Sequence, residues 1–226
     1  MDSKSPRTFL PKKGNYRNLI VYQKAECIYD ITFYFAHRFL SAGDRTVDQM
    51  IQAARSGKQN IAEGCAASTT SAETEIRLTN VARASLQELL TDYIDYLRVH
   101  NLQQWDTNSE KALQTRKVCA QHNDTAFYQT AIQQRNDETI ANIAITLICQ
   151  ADVLFGRLLT RLQNDFVENG GIKEQMYAAR TGYRQQQDAL LKQLKQEVEQ
   201  LKQENQQLKQ ENQQLKQEIE NLKQNR

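Results

Sequence analysis

Residues 191–222 read LKQLKQEVEQLKQENQQLKQENQQLKQEIENL, and this stretch repeats every seven residues. Leucine recurs at one position of the repeat, and an apolar residue or an asparagine precedes it by three positions. This spacing is typical of the d and a positions of a coiled coil, in which paired helices bury a shared apolar stripe. The predicted oligomerisation residues are the a positions Leu191, Val198, Asn205, Asn212 and Ile219 and the d positions Leu194, Leu201, Leu208, Leu215 and Leu222.

The charges beside this stripe favour a parallel dimer. Position e is lysine in every repeat, from Lys195 to Lys223, and position g is glutamate from Glu197 to Glu218. Glutamate at g meets lysine at e across a parallel pair, whereas an antiparallel pair of identical helices would oppose like charges. Asparagines at a pair with their copies across a parallel seam and penalise other registers and strand numbers. We therefore predict a homo-oligomer, preferably a parallel dimer.

Two other interpretations of the tail fit the pattern less well. A solvated single helix or a disordered tract rich in glutamine, lysine and glutamate would not require regular heptads. A basic-zipper DNA reader requires a dense cluster of lysine and arginine directly before the zipper. Residues 177–187 contain only Arg180 and Arg184 as cations, so the sequence disfavours that class.

The rest of the chain is predicted to be helical, because its only prolines, Pro6 and Pro11, precede the first long periodic segment. The fold class is all-α: an antiparallel four-helix bundle with two short inserted helices, followed by a long C-terminal parallel coiled coil. Amphipathic periodicity places the long helices at 16–39, 45–63, 71–100 and 137–167 and the short ones at 110–120 and 125–134. The predicted domains are a basic N-terminal arm at 1–14, the bundle at 15–169, a suffix helix at 170–187 and the leucine zipper at 188–226.

Local signals predict where several helices begin and end. Asp44 is expected to cap the second helix, and Thr70 with Glu73 forms a capping box for the third. Gly64 is expected to end the second helix in a left-handed C-cap, and Gly170 to stop the last bundle helix. The third helix should bury an apolar stripe that includes Ile76, Val81, Leu86, Leu89, Leu90, Tyr93 and Leu97.

The sequence carries no recognisable catalytic or metal-binding constellation. His37, His100 and His122 stand apart, and no Glu-x-x-His pair is present, which disfavours a di-iron bundle. There is no signal-peptide core and no apolar run near eighteen residues, so we expect a cytoplasmic protein. Because catalytic and metal-binding patterns are missing, we also expect a non-enzyme without cofactor or metal. The scattered cysteines are predicted to be buried thiols in a reducing compartment: Cys27, Cys65, Cys119 and Cys149.

Residues 52–64 read QAARSGKQNIAEG, and residues 21–25 read VYQKA. Both segments resemble the four-helix-bundle proteins encoded by ribosomal-RNA intervening sequences, whose second helix ends in a similar Asn-Ile-Ala-Glu-Gly. Residues 68–73 and 170–175 resemble still more closely the branch called four-helix-bundle suffix-domain proteins. The resemblance covers roughly residues 12–187 and implies a four-helix-bundle fold.

Related proteins include the accessory variability proteins of diversity-generating retroelements. These relatives assemble as ring-like pentamers, bind nucleic acid and partner a reverse transcriptase. The resemblance therefore implies three expectations for this chain: a pentamer as the alternative to the dimer, a nucleic-acid ligand and a reverse-transcriptase partner.

Two interpretations of the motif region remain open. In the structural one, Asn60 and Glu63 bond to neighbouring helix termini, Gly57 permits close helix approach and Gly64 forms the cap. In the functional one, cations at the corner between the second and third helices contact phosphates. The N-terminal arm, which is cationic, is either a second phosphate contact or a solubilising tail. The predicted nucleic-acid residues are Lys12, Lys13, Arg17, Arg55, Lys58, Arg77 and Arg83.

The leading hypothesis from sequence is a non-enzymatic oligomeric helical-bundle adaptor or scaffold within a nucleoprotein complex. The alternative is an RNA- or DNA-binding accessory protein that partners a reverse transcriptase.

Overall fold

The structure is a computed structural model that describes residues 15–224, with side chains described as far as Gln217. Lys12, Lys13 and the side chains of Ile219 and Leu222 therefore lie outside the described residues. A 3-10 turn at Tyr16–Asn18 opens this part of the chain, and no strand occurs within it. The helices are α1 Ile20–Phe39, α2 Arg45–Ala67, α3 Ala72–Val99, α4 Glu110–Gln121, α5 Thr125–Ile132, α6 Asp137–Asn169 and α7 Ile172–Gln224.

The four long helices α1, α2, α3 and α6 form a bundle in which each packs against the next and α6 closes on α1. Short turns make α1, α2 and α3 successively antiparallel. The Tyr96 hydroxyl near the end of α3 donates to Asp137 at the start of α6, at 3.0 Å, so α3 and α6 are antiparallel too. The short helix α4 packs on α6, and α5 packs on α1. The predicted all-α bundle with two inserted helices is confirmed.

Aromatic residues fill the centre of the bundle. Phe35 of α1 is fully buried and lies against Tyr93 and Tyr96 of α3, with ring centres 5.1 and 4.8 Å away. The Tyr93 hydroxyl donates to Thr32 at 3.0 Å, which satisfies a buried polar group. The prediction that Val81 belongs to the buried stripe is wrong, because its side chain is 42 % exposed. The small residues Thr79 and Ala82 occupy the buried face there instead, where α2 approaches closely.

Side-chain caps define the starts of α2 to α6. Asp44 accepts a hydrogen bond from the Thr46 amide, as predicted. The predicted Thr70 cap is wrong by one residue, because Ser71 accepts from the Thr74 amide while the Thr70 hydroxyl donates to the Ala67 carbonyl. The Thr70 hydroxyl thus closes the end of α2.

Gly64 does not end α2, contrary to prediction. The helix continues to Ala67, and the Gly64 backbone does not adopt the left-handed conformation. Gly64 is buried against α3, where an added Cβ would lie 3.3 Å from the Glu75 carbonyl oxygen and 3.4 Å from the Leu78 Cβ. An added side chain would crowd α3 at this point, so Gly64 serves helix contact rather than a turn.

Gly170 ends α6 with φ +67°, so this predicted stop is confirmed. The chain divides into two compact units between Lys173 and Glu174. Helix α7 continues without interruption through the predicted boundary at residue 188 and is about 80 Å long at ~1.5 Å per residue.

One stretch within the helical segment Asp137–Gln217 is apolar enough to cross a membrane by length and composition, with mean hydropathy 1.6. The apolar residues come from α6, whose Ile140, Leu147 and Phe155 are fully buried in the bundle. A core helix of a bundle meets the same criteria, and polar Asn142 and Thr146 interrupt the apolar run.

Three of the four cysteines are buried, as predicted: Cys27, Cys65 and Cys119. The prediction is wrong for Cys149, which is exposed on α6. Burial raises the pKa of Cys27 to about 12, and it also raises the pKa of Cys119.

Candidate oligomerisation and nucleic-acid surfaces

As far as Leu215, the apolar residues of the predicted zipper form one half-exposed stripe on α7. In the single chain, Leu194, Leu201 and Leu208 each expose between 50 and 52 % of their surface, although leucine is usually buried. Leu191, Val198 and Leu215 show the same exposure, between 50 and 56 %. A helix of this length is not stabilised by its own backbone alone, because most helical stability in proteins comes from packing an apolar face. The stripe is therefore an unpartnered packing surface.

The apolar part of the stripe begins near Leu190. Continuing the heptad towards the N-terminus would place Tyr177 and Arg184 at a and Arg180 and Gln187 at d. Three of these four side chains are polar or charged, so the seam loses its apolar character before Leu191. Pairing through the stripe is thus expected only from about residue 190 onward.

Asparagine interrupts the stripe at two a positions. The Asn212 amide donates to the Leu208 carbonyl at 3.0 Å within its own helix. Its side-chain oxygen can still accept from the copy of Asn212 in a parallel partner, and Asn205 can form the same pair.

Replacing both asparagines by leucine is expected to stabilise the oligomer and to allow assemblies with a larger number of helices. Asn205→Leu with Asn212→Leu removes two polar groups from the seam, so the melting temperature should rise, and species larger than the native oligomer should appear. Light scattering and thermal unfolding measure the two effects. An unchanged mass together with an unchanged melting temperature would show that these residues do not face a seam.

Two of the cations predicted to form one patch at the α2–α3 corner face different helices. Lys58 of α2 turns towards α1, where its ammonium lies 4.4 Å from the centre of the Tyr29 ring. Arg83 of α3 turns the other way, towards α6, and forms a bidentate pair with Asp152 at 2.7 and 3.1 Å. The expectation of one joint patch is wrong, since these two cations serve opposite edges of the bundle.

The other predicted cations among the described residues are exposed. Arg55 lies on the surface of α2, Arg77 lies near the start of α3, and Arg17 lies in the 3-10 turn with its guanidinium 5.9 Å from the Tyr16 ring centre. Each of these remains accessible to a phosphate. They are carried by three different elements of the described chain.

The polar residues of the motif region differ in what they contact. The Asn60 amide donates at 3.0 Å to both the carbonyl and the hydroxyl of Ser56. It therefore bonds within α2, and the predicted bond to a neighbouring helix terminus is wrong. The Ser56 hydroxyl lies 3.0 Å from the Ser85 hydroxyl of α3. Glu63 is exposed, which also departs from the expectation. The Ser56–Ser85 pair was not predicted, because no sequence pattern relates residues 29 positions apart.

The Arg83–Asp152 pair predicts a pH-dependent contribution to stability. The hydrogen bond from Arg83 holds the pKa of Asp152 below its ordinary value, and Gln87 adds a further bond at 2.9 Å. A lowered folded-state pKa contributes stability above the unfolded value near ~4, and this contribution is lost as pH falls through the folded pKa. Because both side chains are partly exposed, the contribution is at most about 1 kcal/mol.

Asp152→Asn should therefore destabilise the bundle more at pH 7 than at pH 2. Urea unfolding at the two pH values measures the difference, and Asp165→Asn on the exposed face of α6 is the matched control. An equal loss at both pH values would contradict the role of the ion pair.

The fold and the stripe together define a helical bundle joined to a coiled-coil helix. Residues 177–226, less than a quarter of the chain, match the family model of the bZIP transcription factors. Domains of that family dimerise through a coiled coil and bind nucleic acid. No curated protein and no solved structure matches the chain.

Proposed function

We propose that this protein is a non-enzymatic adaptor that oligomerises through α7 and presents its helical bundles to a larger assembly. The observation that carries the proposal is the half-exposed stripe of Leu191, Leu194, Val198, Leu201, Leu208 and Leu215 on one continuous helix. The bZIP match over the same residues supports pairing through this stripe. We also propose that the chain is related to the four-helix-bundle suffix-domain proteins.

The strand number follows from the seam. Leucine at d with asparagine at a, and opposite charges at e and g, favours two parallel strands. A parallel pair brings the N-terminal bundles of both chains to the same end of the paired helices. A five-fold ring of bundles would conflict with a two-fold tail, because closed assemblies require matching symmetry.

Light scattering on the full chain tests the oligomer. The expected mass is twice the chain mass of 26.1 kDa, and a monomer would overturn the proposal. Strand direction is tested by Asn205→Cys in a Cys149→Ser background, which removes the exposed native thiol. Position 205 faces its own copy only in a parallel pair in register, so rapid disulfide formation is expected under mild oxidation. Failure to cross-link in a confirmed dimer would overturn the parallel arrangement.

A second candidate function is nucleic-acid binding by an accessory protein that partners a reverse transcriptase. The bZIP match and the exposed cations Arg17, Arg55 and Arg77 favour it, whereas the sparse cations of residues 177–187 argue against DNA reading by α7 itself. Electrostatic phosphate binding weakens steeply with salt.

A gel-shift titration at about 50 and about 200 mM salt discriminates between the two candidates, because several phosphate contacts reduce affinity by orders of magnitude over that range. The triple variant Arg17→Gln, Arg55→Gln, Arg77→Gln should reduce both affinity and salt slope. Lys111→Gln and Lys117→Gln on α4, with Lys192→Gln at a b position of α7, provide a control with the same loss of charge. Absence of any shift would exclude this second function and leave the adaptor proposal unaffected.

A further inference from the structure

A cavity of about 590 Å³ lies between α1, α4, α6 and the loop before α4. Its walls are largely apolar and include Ile20, Ile145, Val153 and Leu154. Its volume falls in the range of about 300–1,000 Å³ that is common for small-molecule sites. The cavity lies entirely within the bundle unit, so the inference does not depend on oligomerisation.

Unpartnered polar groups are concentrated at this cavity. In the described part of the chain, buried side-chain atoms without a hydrogen-bond partner are Nε1 of Trp105, Oδ1 of Asn123 and Oε1 of Gln150. All three residues line the cavity. A buried polar atom without a partner costs about 1–3 kcal/mol, so each such atom requires an explanation. A ligand that offers one acceptor and one or more donors would supply the missing partners.

The charge of the lining has one sign. Lys24, Arg116 and Arg157 line the cavity, and no aspartate or glutamate is among its described lining residues. Lys24 is 96 % buried, and its ammonium donates to the Cys119 carbonyl at 2.6 Å. An ammonium has three donors, so two remain for another partner. Burial lowers the pKa of Lys24, and an anion beside it would offset that effect.

The walls are held in place by hydrogen bonds between distant segments. Asn142 of α6 accepts from the Trp105 amide at 2.9 Å and donates to the Gln103 carbonyl at 2.9 Å, which fixes the loop on α6. Gln150 donates to the Arg116 carbonyl at 2.8 Å, which fixes α4. A ligand would therefore enter a largely preformed site rather than order it on binding.

We propose that this cavity binds an amphipathic organic carboxylate that carries a hydroxyl or amide donor beside its apolar body. The carboxylate pairs with Lys24 and Arg157 and accepts from the Trp105 indole N–H. The hydroxyl or amide donor satisfies the oxygens of Asn123 or Gln150. The apolar body packs against Ile145, Val153 and Leu154.

The intrinsic fluorescence of Trp105 tests the proposal directly, because it is the only tryptophan of the chain. The probe is 2-hydroxyoctanoate, which does not absorb where tryptophan does, and its neutral analogue is 2-hydroxyoctanamide. The expected result is a saturable change in emission with the carboxylate and at least about tenfold weaker binding of the amide, since hydrogen bonds to charged groups are the stronger ones. Bound carboxylate should also slow alkylation of Cys149, which lines the cavity.

Two variants address the cationic contacts separately. Lys24→Met keeps the side-chain length and removes the buried charge, and Arg157→Gln changes an exposed residue that the fold does not require. Each should weaken carboxylate binding about tenfold. Lys117→Gln, an exposed charge on α4 outside the cavity, should leave binding unchanged. No binding, equal binding of acid and amide, or wild-type affinity in Arg157→Gln would each overturn the proposal.

Discussion

Replacing Leu201 and Leu208 by lysine is expected to convert the protein to a monomer. Both leucines occupy d positions and are half exposed in the single chain, so pairing would bury the remainder in the seam. Burying a fully exposed leucine contributes about 1.5–3 kcal/mol, so burying the exposed half contributes about half of that, and a dimer contains four of these side chains. The double substitution therefore removes roughly 3–6 kcal/mol of association free energy and also places four ammonium groups in the seam.

The lost burial alone corresponds to a dissociation constant about 10²- to 10⁴-fold higher, since ~1.4 kcal/mol is a factor of ten, and the four charges in the seam weaken pairing further. Light scattering at micromolar concentration should show the mass of one chain. Circular dichroism should show loss of α7 helicity, because the unpaired helix has no packing partner.

Gln203→Lys with Gln210→Lys provides the control for this experiment. These residues occupy f positions, on the face of α7 away from the predicted seam, and the variant carries the same added charge. The control should keep the mass of the oligomer. Dissociation of the control, or an intact oligomer in Leu201→Lys with Leu208→Lys, would show that the stripe is not the seam.

Gly57→Ala is expected to destabilise the bundle, although alanine favours helices more than glycine does. A Cβ at position 57 would lie 2.5 Å from Cδ2 and 2.7 Å from Cγ of Leu86, whose side chain is buried in the α2–α3 contact. Overpacking of this kind costs about 1–3 kcal/mol, against a gain of at most ~1 kcal/mol from helix propensity. Urea unfolding measures the difference.

A double-mutant cycle tests whether the contact with Leu86 is the cause. Leu86→Ala alone should cost about 2–5 kcal/mol because it leaves a cavity. In Gly57→Ala with Leu86→Ala, the new methyl group occupies part of that cavity. The double variant should be more stable than the sum of the single losses predicts, by at least about 0.5 kcal/mol.

Gly156→Ala on α6 is the matched control for position 57. It lies within a helix, and apart from its chain neighbours and the nearby backbone of its own helix no atom lies within 4 Å of the place that its Cβ would take. This substitution should stabilise the protein by about 0.5–1 kcal/mol through helix propensity alone. Equal effects at positions 57 and 156, or strict additivity in the cycle, would contradict close packing at Gly57.

Local patterns carried the predictions that proved correct. The end of α6 at Gly170 and the start of α2 at Asp44 depend on residues next to each other, so capping chemistry was sufficient. The Thr70 prediction was wrong because two adjacent hydroxyl residues compete for the cap, and Ser71 takes it while Thr70 bonds back to α2.

Positions that contact another helix were harder to interpret. Glycine often ends a helix, but Gly64 lies within α2, where its lack of a side chain allows close contact with Glu75 and Leu78 of α3. Likewise, Lys58 and Arg83 were predicted to share one patch at the α2–α3 corner, but they face α1 and α6. The direction of each side chain depends on which helix lies beside it, and that is set by the packing of the whole bundle.

The sequence by itself determined that the chain is helical and that α7 carries a continuous heptad stripe, because both follow from the spacing of residues a few positions apart. Only the tertiary structure decided which cations are already paired, that side chains added at Gly57 and Gly64 would crowd α3, and that a cationic cavity exists. Its lining brings together α1, α4, α6 and the loop of Trp105, and the most distant lining residues, Ile20 and Arg157, are 137 residues apart. Such proximity follows from packing and has no counterpart in the local order of residues.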